Sequence, residues 1–317
     1  MKKFVLFLSL NLALASTAQP VLTHGQLSVE GVQLVDKNKQ PLILRGMSYG
    51  WHNWHPRFYN AASVKWMRDD WKINVIRTAM GIEPDGAYLQ KPEWSASTVR
   101  TVIEAAIKEN IYVIVDWHSH NINQKESIEF FKDIAKRYGK NPHVIYEIFN
   151  EPDKETWEEV KAYSIEVIKA IRDIDPDNII LVGSPQWDQS VHLPAADPIK
   201  GFSNLMYTMH YYAGTHKQWL RDRCDTVLKQ GLPLFISESA GMDATGDGAI
   251  ALDEWTKWIE WAESRKISWV TWSVSDKDES CSVLEKSASS NGNWKETDLK
   301  ASGRKARELL RRYNSEK

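Results

Sequence analysis

The sequence predicts an α/β fold in which eight parallel strands alternate with helices and close into a barrel. Eight apolar runs are separated along the 317 residues by segments with helical periodicity. The runs are apolar without strict alternation, which is typical of parallel strands buried on both faces. Eight such units favour a closed barrel over a doubly wound sheet, and residues 46–50 lack the glycine spacing of a dinucleotide-binding turn.

The first 18 residues have the three zones of a secretory signal peptide. Lys2 and Lys3 precede an apolar stretch over residues 4–15, and small residues follow up to Ala18. We therefore expect cleavage after Ala18, an exported protein without a membrane span, and one barrel domain over residues 19–317. The alternative, an amphipathic first helix, fits this pattern less well.

The remaining elements follow in order along the chain. Residues 25–44 have two apolar runs around the turn residues 36–39, which predicts a short β-hairpin before the barrel. Barrel strands are expected to end near Met47, Ala79, Trp117, Glu151, Val182, Tyr211, Glu238 and Val274. Helices are expected near residues 63–71, 95–109, 127–138, 155–174, 216–229, 252–265 and 301–313.

Composition excludes some classes of partner. The chain has 40 basic and 42 acidic residues and no basic tract interleaved with aromatics, so nucleic acid is not expected as a partner. Export would permit one disulfide, but Cys224 falls in a predicted helix and Cys281 in a predicted loop, which favours two free thiols. Fifteen tryptophans exceed the needs of a core, and flat indole rings at strand ends suit sugar rings.

Glu151 and Glu238 each close a predicted strand, and their pairing indicates a hydrolytic site. The carboxyl ends of all barrel strands face one shared bowl, so residues distant in sequence meet there. Hydrolysis of a glycosidic bond uses one protonated carboxyl group and one ionised carboxylate. We expect Arg77 and Tyr212 to hold Glu238 ionised, and Asn150 to contact a sugar 2-hydroxyl. The other polar or aromatic strand-end residues are His118, His210 and Trp272.

The segment from Ile148 to Pro152, which reads Ile-Phe-Asn-Glu-Pro, resembles the acid/base signature of glycoside hydrolase family 5. From residue 19 onward the chain is similar to the cellulases of that family from end to end. The other matching residues are Arg45, Gly46, Met47, Ser48, Ile76, Arg77, Trp117, His118, His210, Tyr211, Tyr212, Ile236, Ser237, Glu238 and Trp272.

The resemblance implies a (β/α)8 TIM barrel that cleaves β-1,4-glucan internally with retention of configuration. It implies Glu151 as the acid/base and Glu238 as the nucleophile, with neither cofactor nor metal. The supporting residues it implies are Arg77, His118, Asn150, His210, Tyr212 and Trp272, and the residues beside neighbouring glucose units are Trp54, Trp187, Lys277 and Glu279. One departure is Gly50, where many relatives carry a histidine; the role of His52, two residues later, is open.

Several alternatives remain at this point. Asp116, His118 and His120 form a carboxylate and histidine cluster that suits a metal-dependent hydrolase. Residues 243–248 resemble a calcium loop, although no bidentate glutamate follows, which favours a solvated loop. The barrel could also bind carbohydrate without cleaving it, or act on mannan, xyloglucan or mixed-linkage glucan. The expected partner is a β-glucan or cello-oligosaccharide, and the expected state is a monomer.

Overall fold

The computed structural model describes residues 19–315, so the predicted signal peptide lies outside the described residues. The described chain begins with the short helix α1 (Pro20–His24), followed by β1 (Ser28–Glu30) and β2 (Gln33–Val35). The two strands pair antiparallel, with Val29 opposite Leu34. This pairing confirms the predicted hairpin.

Eight further strands form one closed, fully parallel barrel, which confirms the predicted fold class. Around the barrel each strand pairs with the next one in sequence, and the last strand pairs with the first. The strands are β3 (Arg45–Tyr49), β4 (Val75–Gly81), β5 (Tyr112–His118), β6 (Val144–Glu147), β7 (Ile180–Val182), β8 (Leu205–Tyr212), β9 (Leu234–Ala240) and β10 (Trp269–Val274).

The helices lie in the connections between strands. They are α2 (Ala61–Trp66), which continues as a π-helical turn (Met67–Trp71), α3 (Pro92–Glu109), α4 (Gln124–Tyr138), α5 (Trp157–Arg172), α6 (His192–Ala196), α7 (Gln218–Lys229), α8 (Leu252–Ser264) and α9 (Ala301–Ser315). Short 3-10 turns lie at Pro56–Phe58 and Glu296–Asp298. All seven predicted helices are present. The sequence reading missed α1 and α6, because a five-residue helix is too short to display a period.

Two layers of core hold the barrel together. The larger layer packs the helices against the outside of the strands, and it contains Trp71, Trp255 and Trp258, which are fully buried. These tryptophans therefore serve packing. The smaller layer joins the hairpin to the amino-terminal ends of the strands, where Tyr112 Oη donates to the carbonyl oxygen of Gly25 (2.8 Å). The hairpin therefore closes the floor of the barrel and leaves the opposite end open.

Cys224 and Cys281 are both buried and both free, as the sequence predicted. Cys224 lies within α7, whereas Cys281 lies in the loop after β10. Over residues 19–315, no helix combines the length and the apolar character needed to cross a membrane.

Two strand pairs shift register close to the open end of the barrel. Between β8 and β9 the shift falls between Thr208 and His210, and between β10 and β3 it falls between Trp272 and Val274. Such irregularities often re-aim side chains at barrel rims. They place His210 and Trp272 at the bowl predicted from the sequence.

Candidate active site

Glu238 lies within β9, but Glu151 does not close a strand, so the prediction for Glu151 was wrong in this detail. The ladder of β6 ends at Glu147, and Glu151 lies on the following loop. The apolar run continues through Ile148 and Phe149. Both residues are fully buried, but neither belongs to the strand. The Glu151 amide donates to the carbonyl oxygen of Ser119 (3.2 Å), which ties this loop to the end of β5.

The two glutamates meet across the bowl. One carboxylate oxygen from Glu151, one from Glu238 and one ring nitrogen of His210 all lie within 4.8 Å of one another. Carboxyl groups of retaining glycosidases lie about 5–5.5 Å apart, whereas those of inverting enzymes lie about 6.5–9.5 Å apart. Two carboxylate oxygens this close fit the short class of separation better than the wide one.

Arg77 is the fully buried cation at the centre of the site. Its Nη1 donates to Glu238 Oε2 (2.9 Å), its Nε to Glu147 Oε2 (2.7 Å) and its Nη2 to Asn150 Oδ1 (2.6 Å). Nη2 also forms an ion pair with Asp116 Oδ2 (2.9 Å). Burial would raise the pKa of Glu147, but the charge and hydrogen bonds of Arg77, with help from His210, lower it to about 2. One guanidinium thus orients three carboxylates and the amide of Asn150.

The nitrogen of the Asn150 amide has no hydrogen-bond partner among the described residues, although it is buried. Buried amide nitrogens are normally satisfied, so this one is free to donate to a bound molecule. The sequence predicted that Asn150 contacts a sugar hydroxyl, and this donor suits that contact.

Glu238 accepts a second hydrogen bond, from Tyr212 Oη to its Oε1 (2.7 Å). Burial raises the pKa of Glu238 and repulsion from Glu151 raises it further, while Arg77 and Tyr212 act in the opposite sense without cancelling the rise. Removing the hydrogen bond from Arg77 or from Tyr212 would therefore raise the pKa of Glu238 further.

His210 was predicted as a supporting residue, but its contact with Glu151 was not. Its Nδ1 lies 2.8 Å from Glu151 Oε1. Burial would raise the pKa of Glu151, but the hydrogen bond and charge of His210 lower it below the ordinary value. In the free protein the balance therefore favours a proton on Glu238 rather than on Glu151. This is the reverse of the expectation from Arg77 alone, because His210 compensates Glu151 as Arg77 compensates Glu238.

One wall of the bowl is aromatic. The ring of His118 stacks parallel to Trp272, with centroids 5.2 Å apart, and Trp51 meets His118 edge-on at 4.3 Å. Nδ1 of His118 lies 2.6 Å from Asp116 Oδ2, which holds the ring in place. Burial and the nearby charge of Arg77 lower the pKa of His118 well below its ordinary value, so this wall is neutral.

The bowl continues on both sides of Glu151. On one side the cleft is lined by the predicted residues Trp54, His118, Trp272, Lys277 and Glu279, and on the other by Trp187 and His210. The two sides share Glu151 and Tyr212. Trp54 and Trp187 are 53% and 45% exposed, which leaves ring surface available to a ligand. Lys277 Nζ and Glu279 Oε2 are 2.5 Å apart.

Other cleft-lining residues were not predicted as substrate contacts, although His120 was considered as a metal ligand and Thr245 as part of a calcium loop. They are His55, His120, Gln189, Thr215, His216 and Thr245. All lie on loops after the strands, where apolar periodicity carries no signal. Nδ1 of His216 accepts from the Tyr212 amide (2.8 Å), and burial lowers its pKa to about 4. His216 is therefore neutral, with Nε2 left as the donor nitrogen.

The structure also settles the roles of Gly50 and His52. His52 is fully buried, and its Nδ1 accepts from the Gly81 amide (3.0 Å), so it does not line the cleft. His55 does line the cleft, with Nδ1 3.0 Å from Asp276 Oδ1. A Cβ atom on Gly50 would lie 3.0 Å from the His55 ring. The imidazole of His55 therefore occupies the space beside Gly50.

The metal alternative finds little support in the geometry. Asp116 is bonded to Arg77 and His118, while the His118 and His120 rings are 6.4 Å apart. Within residues 19–315 one group has ligand atoms close enough for a metal, namely Glu151, His210 and Glu238. Arg77 and Tyr212 already compensate Glu238 there. In the loop 243–248, Asp247 accepts from Ser280 instead of facing a shared centre.

Comparison with known proteins identifies the family of this chain. The family model described as cellulase, glycosyl hydrolase family 5, matches residues 35–278. The chain belongs to glycosyl hydrolase family 5. Among curated members, an endoglucanase from Clostridium saccharobutylicum is 42% identical over 88% of this chain and 63% of its own length. Endoglucanase N from Pectobacterium atrosepticum is 42% identical over 97% of this chain and 70% of its own length.

Solved structures of family 5 proteins share the barrel. A structure from Cytophaga hutchinsonii is 43% identical, with a TM-score of 0.91 over 93% of this chain and 97% of that one. The catalytic domain of Thermobifida fusca endoglucanase Cel5A is 33% identical, with a TM-score of 0.88 over 93% and 100%. By contrast, this family 5 chain spans only 63% and 61% of the first two curated relatives that it matches.

Proposed function

We propose that this family 5 protein is a retaining endo-β-1,4-glucanase, with Glu151 as acid/base and Glu238 as nucleophile. The observation that carries the proposal is the close approach of these two carboxylates, within 4.8 Å, in the middle of a cleft lined by tryptophans. The curated relatives named endoglucanase support the activity, and a T. fusca Cel5A variant solved in complex with cellotetraose, 32% identical, supports the substrate class.

In the first step Glu238 attacks the anomeric carbon while Glu151 protonates the departing sugar oxygen. This step requires a neutral Glu151 beside an ionised Glu238. That arrangement is accessible because the two groups compete for one proton across a short gap, and because Arg77 Nη1 and Tyr212 Oη both donate to ionised Glu238. The new bond joins Glu238 to the glycone, and the glycosidic bond breaks.

In the second step Glu151 deprotonates the water that attacks the glycosyl enzyme, and Glu238 leaves as a carboxylate. Its charge is again met by Arg77 and Tyr212. Glu151 regains the proton that it needs for the next cycle. Two displacements at the anomeric carbon retain its configuration.

The aromatic residues supply binding rather than chemistry. A pyranose ring has an apolar face that stacks on indole, while its hydroxyls require polar partners. Trp54 and Trp187 lie on opposite sides of Glu151, and the Lys277–Glu279 pair offers charged partners on the Trp54 side. Because the cleft continues on both sides of the cleavage point, a chain can bind by its middle.

The experiment that tests the activity is incubation of purified protein with soluble β-glucans, xyloglucan and mannans, followed by product identification. We expect short cello-oligosaccharides and a rapid fall in viscosity, with the β-anomer as the first product by NMR. Faster hydrolysis of mannan or xyloglucan would replace the substrate assignment by a related β-glycanase. Binding without release of reducing ends would indicate a silent carbohydrate-binding barrel, and loss of activity with a chelator would revive the metal alternative.

A second experiment separates the two carboxylates. On an aryl cellobioside whose leaving group needs no proton, Glu151→Gln should retain much of the first step, whereas Glu238→Gln should abolish it. A burst of phenol followed by slow turnover in Glu151→Gln would support the assignment. Equal losses in the two variants would contradict it.

We also propose that residues 1–18 direct export and are removed, and that the released chain works as a monomer. The Lys2–Lys3 start, the apolar stretch and the small residues before position 18 support the first point. Amino-terminal sequencing of the protein recovered from outside the cytoplasm should start at Gln19, and light scattering should give a single-chain mass.

A further inference from the structure

The Nε2 atom of His210 has no part in the proposed reaction. Nδ1 contacts Glu151, while Nε2 lies 2.9 Å from Ser237 Oγ, 3.4 Å from Asp188 Oδ2 and 3.7 Å from Glu147 Oε1. Glu147 already receives two hydrogen bonds from Arg77. Among residues 19–315, no lysine or arginine forms an ion pair with Asp188, and His210 is its one charged neighbour within 4 Å.

Asp188 is fully buried beneath the site. Its Oδ1 accepts from the Ser184 amide (2.5 Å), but its Oδ2 has no hydrogen-bond partner among the described residues. A buried carboxylate oxygen without a partner is unfavourable unless a positive charge lies nearby. The nearest candidate is the Nε2 edge of His210.

The backbone that carries Asp188 is unusual. Gln186, Trp187 and Asp188 have φ values of 59°, 52° and 61°, so three consecutive residues other than glycine adopt the left-handed conformation. Residues held in such conformations cluster at functional sites. Here the turn leaves Trp187 45% exposed in the cleft and buries Asp188 completely behind it.

We propose that Asp188 is a positioning residue that keeps His210 protonated on both nitrogens, so that Nδ1–H donates continuously to Glu151 Oε1. The inference rests on the proposed function, because it assigns Asp188 a part in tuning the acid/base. With Oε1 occupied by His210, the proton that Glu151 gives and takes resides on Oε2. Glu151 thereby presents one oxygen to the reaction.

The charges around His210 are consistent with this role. Burial lowers the pKa of His210, but the charge of Asp188 and the hydrogen bonds to Glu147 and Glu151 outweigh burial and hold it well above the ordinary value. Burial raises the pKa of Asp188, and the positive charge of His210 is the largest influence that lowers it, so a charged His210 favours an ionised Asp188. The other charged or titratable groups near His210 are Arg77, Asp116, His118, His216 and Glu238.

The test is the variant Asp188→Asn, which keeps the oxygen that accepts from Ser184 and removes the charge. Without that charge His210 should lose its second proton more easily, so the pKa of Glu151 should rise. The basic limb of the kcat/KM profile should then move to higher pH by about one unit. Asp197→Asn is the matched control, since Asp197 lies in the same connection, is largely exposed and pairs with Lys161. A profile of Asp188→Asn that overlays the wild-type profile would overturn the proposal.

A second measurement needs no substrate and separates this proposal from the proposed function. In nitrogen-15 NMR of labelled histidines, the signal missing from His210→Gln identifies His210. In the wild-type protein that ring should stay doubly protonated at neutral pH, and in Asp188→Asn it should titrate about one unit lower or more. A neutral His210 ring in the wild-type protein would refute the role of Asp188, whether or not the protein cleaves glucan and whether or not the variant folds.

Discussion

The substitution Tyr212→Phe measures how much one hydrogen bond favours the ionised form of Glu238. The Tyr212 hydroxyl donates to Glu238 Oε1 (2.7 Å), and the substitution removes that donor while leaving the ring in place. Because Tyr212 is among the influences that lower the pKa of Glu238, its loss must raise that pKa. In the proposed reaction Glu238 has to be ionised to attack, so the acidic limb of the pH profile should move to higher pH.

The size of the shift follows from the hydrogen bond. A bond to a charged group contributes about 1.5–3 kcal/mol, and one pKa unit corresponds to about 1.4 kcal/mol. The acidic limb should therefore rise by about one to two units. Below that limb the ionised fraction of Glu238 falls tenfold per unit, so kcat/KM on the acid side should fall about 10- to 100-fold.

The assay is kcat/KM against pH on an aryl cellobioside. Tyr112→Phe is the matched control, because it removes a hydroxyl bonded to the Gly25 carbonyl at the floor of the barrel (2.8 Å). The control should lose some stability and keep the wild-type pH profile. If the acidic limb of Tyr212→Phe coincides with that of the wild-type protein, the reasoning about Glu238 is wrong.

Two further substitutions probe binding and stability separately. Trp187→Ala removes an exposed indole ring on which a sugar can stack. It should raise KM for long cello-oligosaccharides about tenfold and leave hydrolysis of an aryl cellobioside nearly unchanged. An equal loss on both substrates would argue against a binding role. Arg45→Met breaks the two hydrogen bonds to Glu263 (2.6 Å each) at the start of β3. It should lower the free energy of unfolding by about 2 kcal/mol in a denaturant titration and leave kcat normal. Lost activity in a fully folded variant would show that the floor of the barrel and the site are not independent.

The barrel was predictable from the sequence because its periodic signals are long. The six helices with twelve or more residues were all predicted, and so was α2 with its π-helical turn. Every barrel strand coincides with a predicted apolar run. The error at β6 arose because an apolar run reports burial rather than strand pairing. Ile148 and Phe149 are buried beyond the end of the ladder, so the run extended past Glu147.

The placement of site residues was predictable where a polar residue lies within a barrel strand, as for Arg77 and Glu238, which the structure brings into contact. It was not predictable where the effect depends on a neighbour that is remote in sequence. His210 lowers the pKa of Glu151 through its hydrogen bond and charge. Asp188 lies near His210 because of a left-handed turn that residue preferences do not predict. Relative pKa directions therefore required the coordinates, because they depend on distances among several charges.

The two unpaired cysteines offer a way to observe opening motions. Burial raises the pKa of both thiols, so neither should react with a labelling reagent while its surroundings stay closed. Cys224 lies under the helical layer, whereas Cys281 lies in the cleft wall, 3.2 Å from Glu279 Oε1. Modification of Cys224 would report loosening of the outer shell, and modification of Cys281 would report fluctuations of the cleft. The modification rates of the two thiols thus report opening motions in two separate parts of the structure.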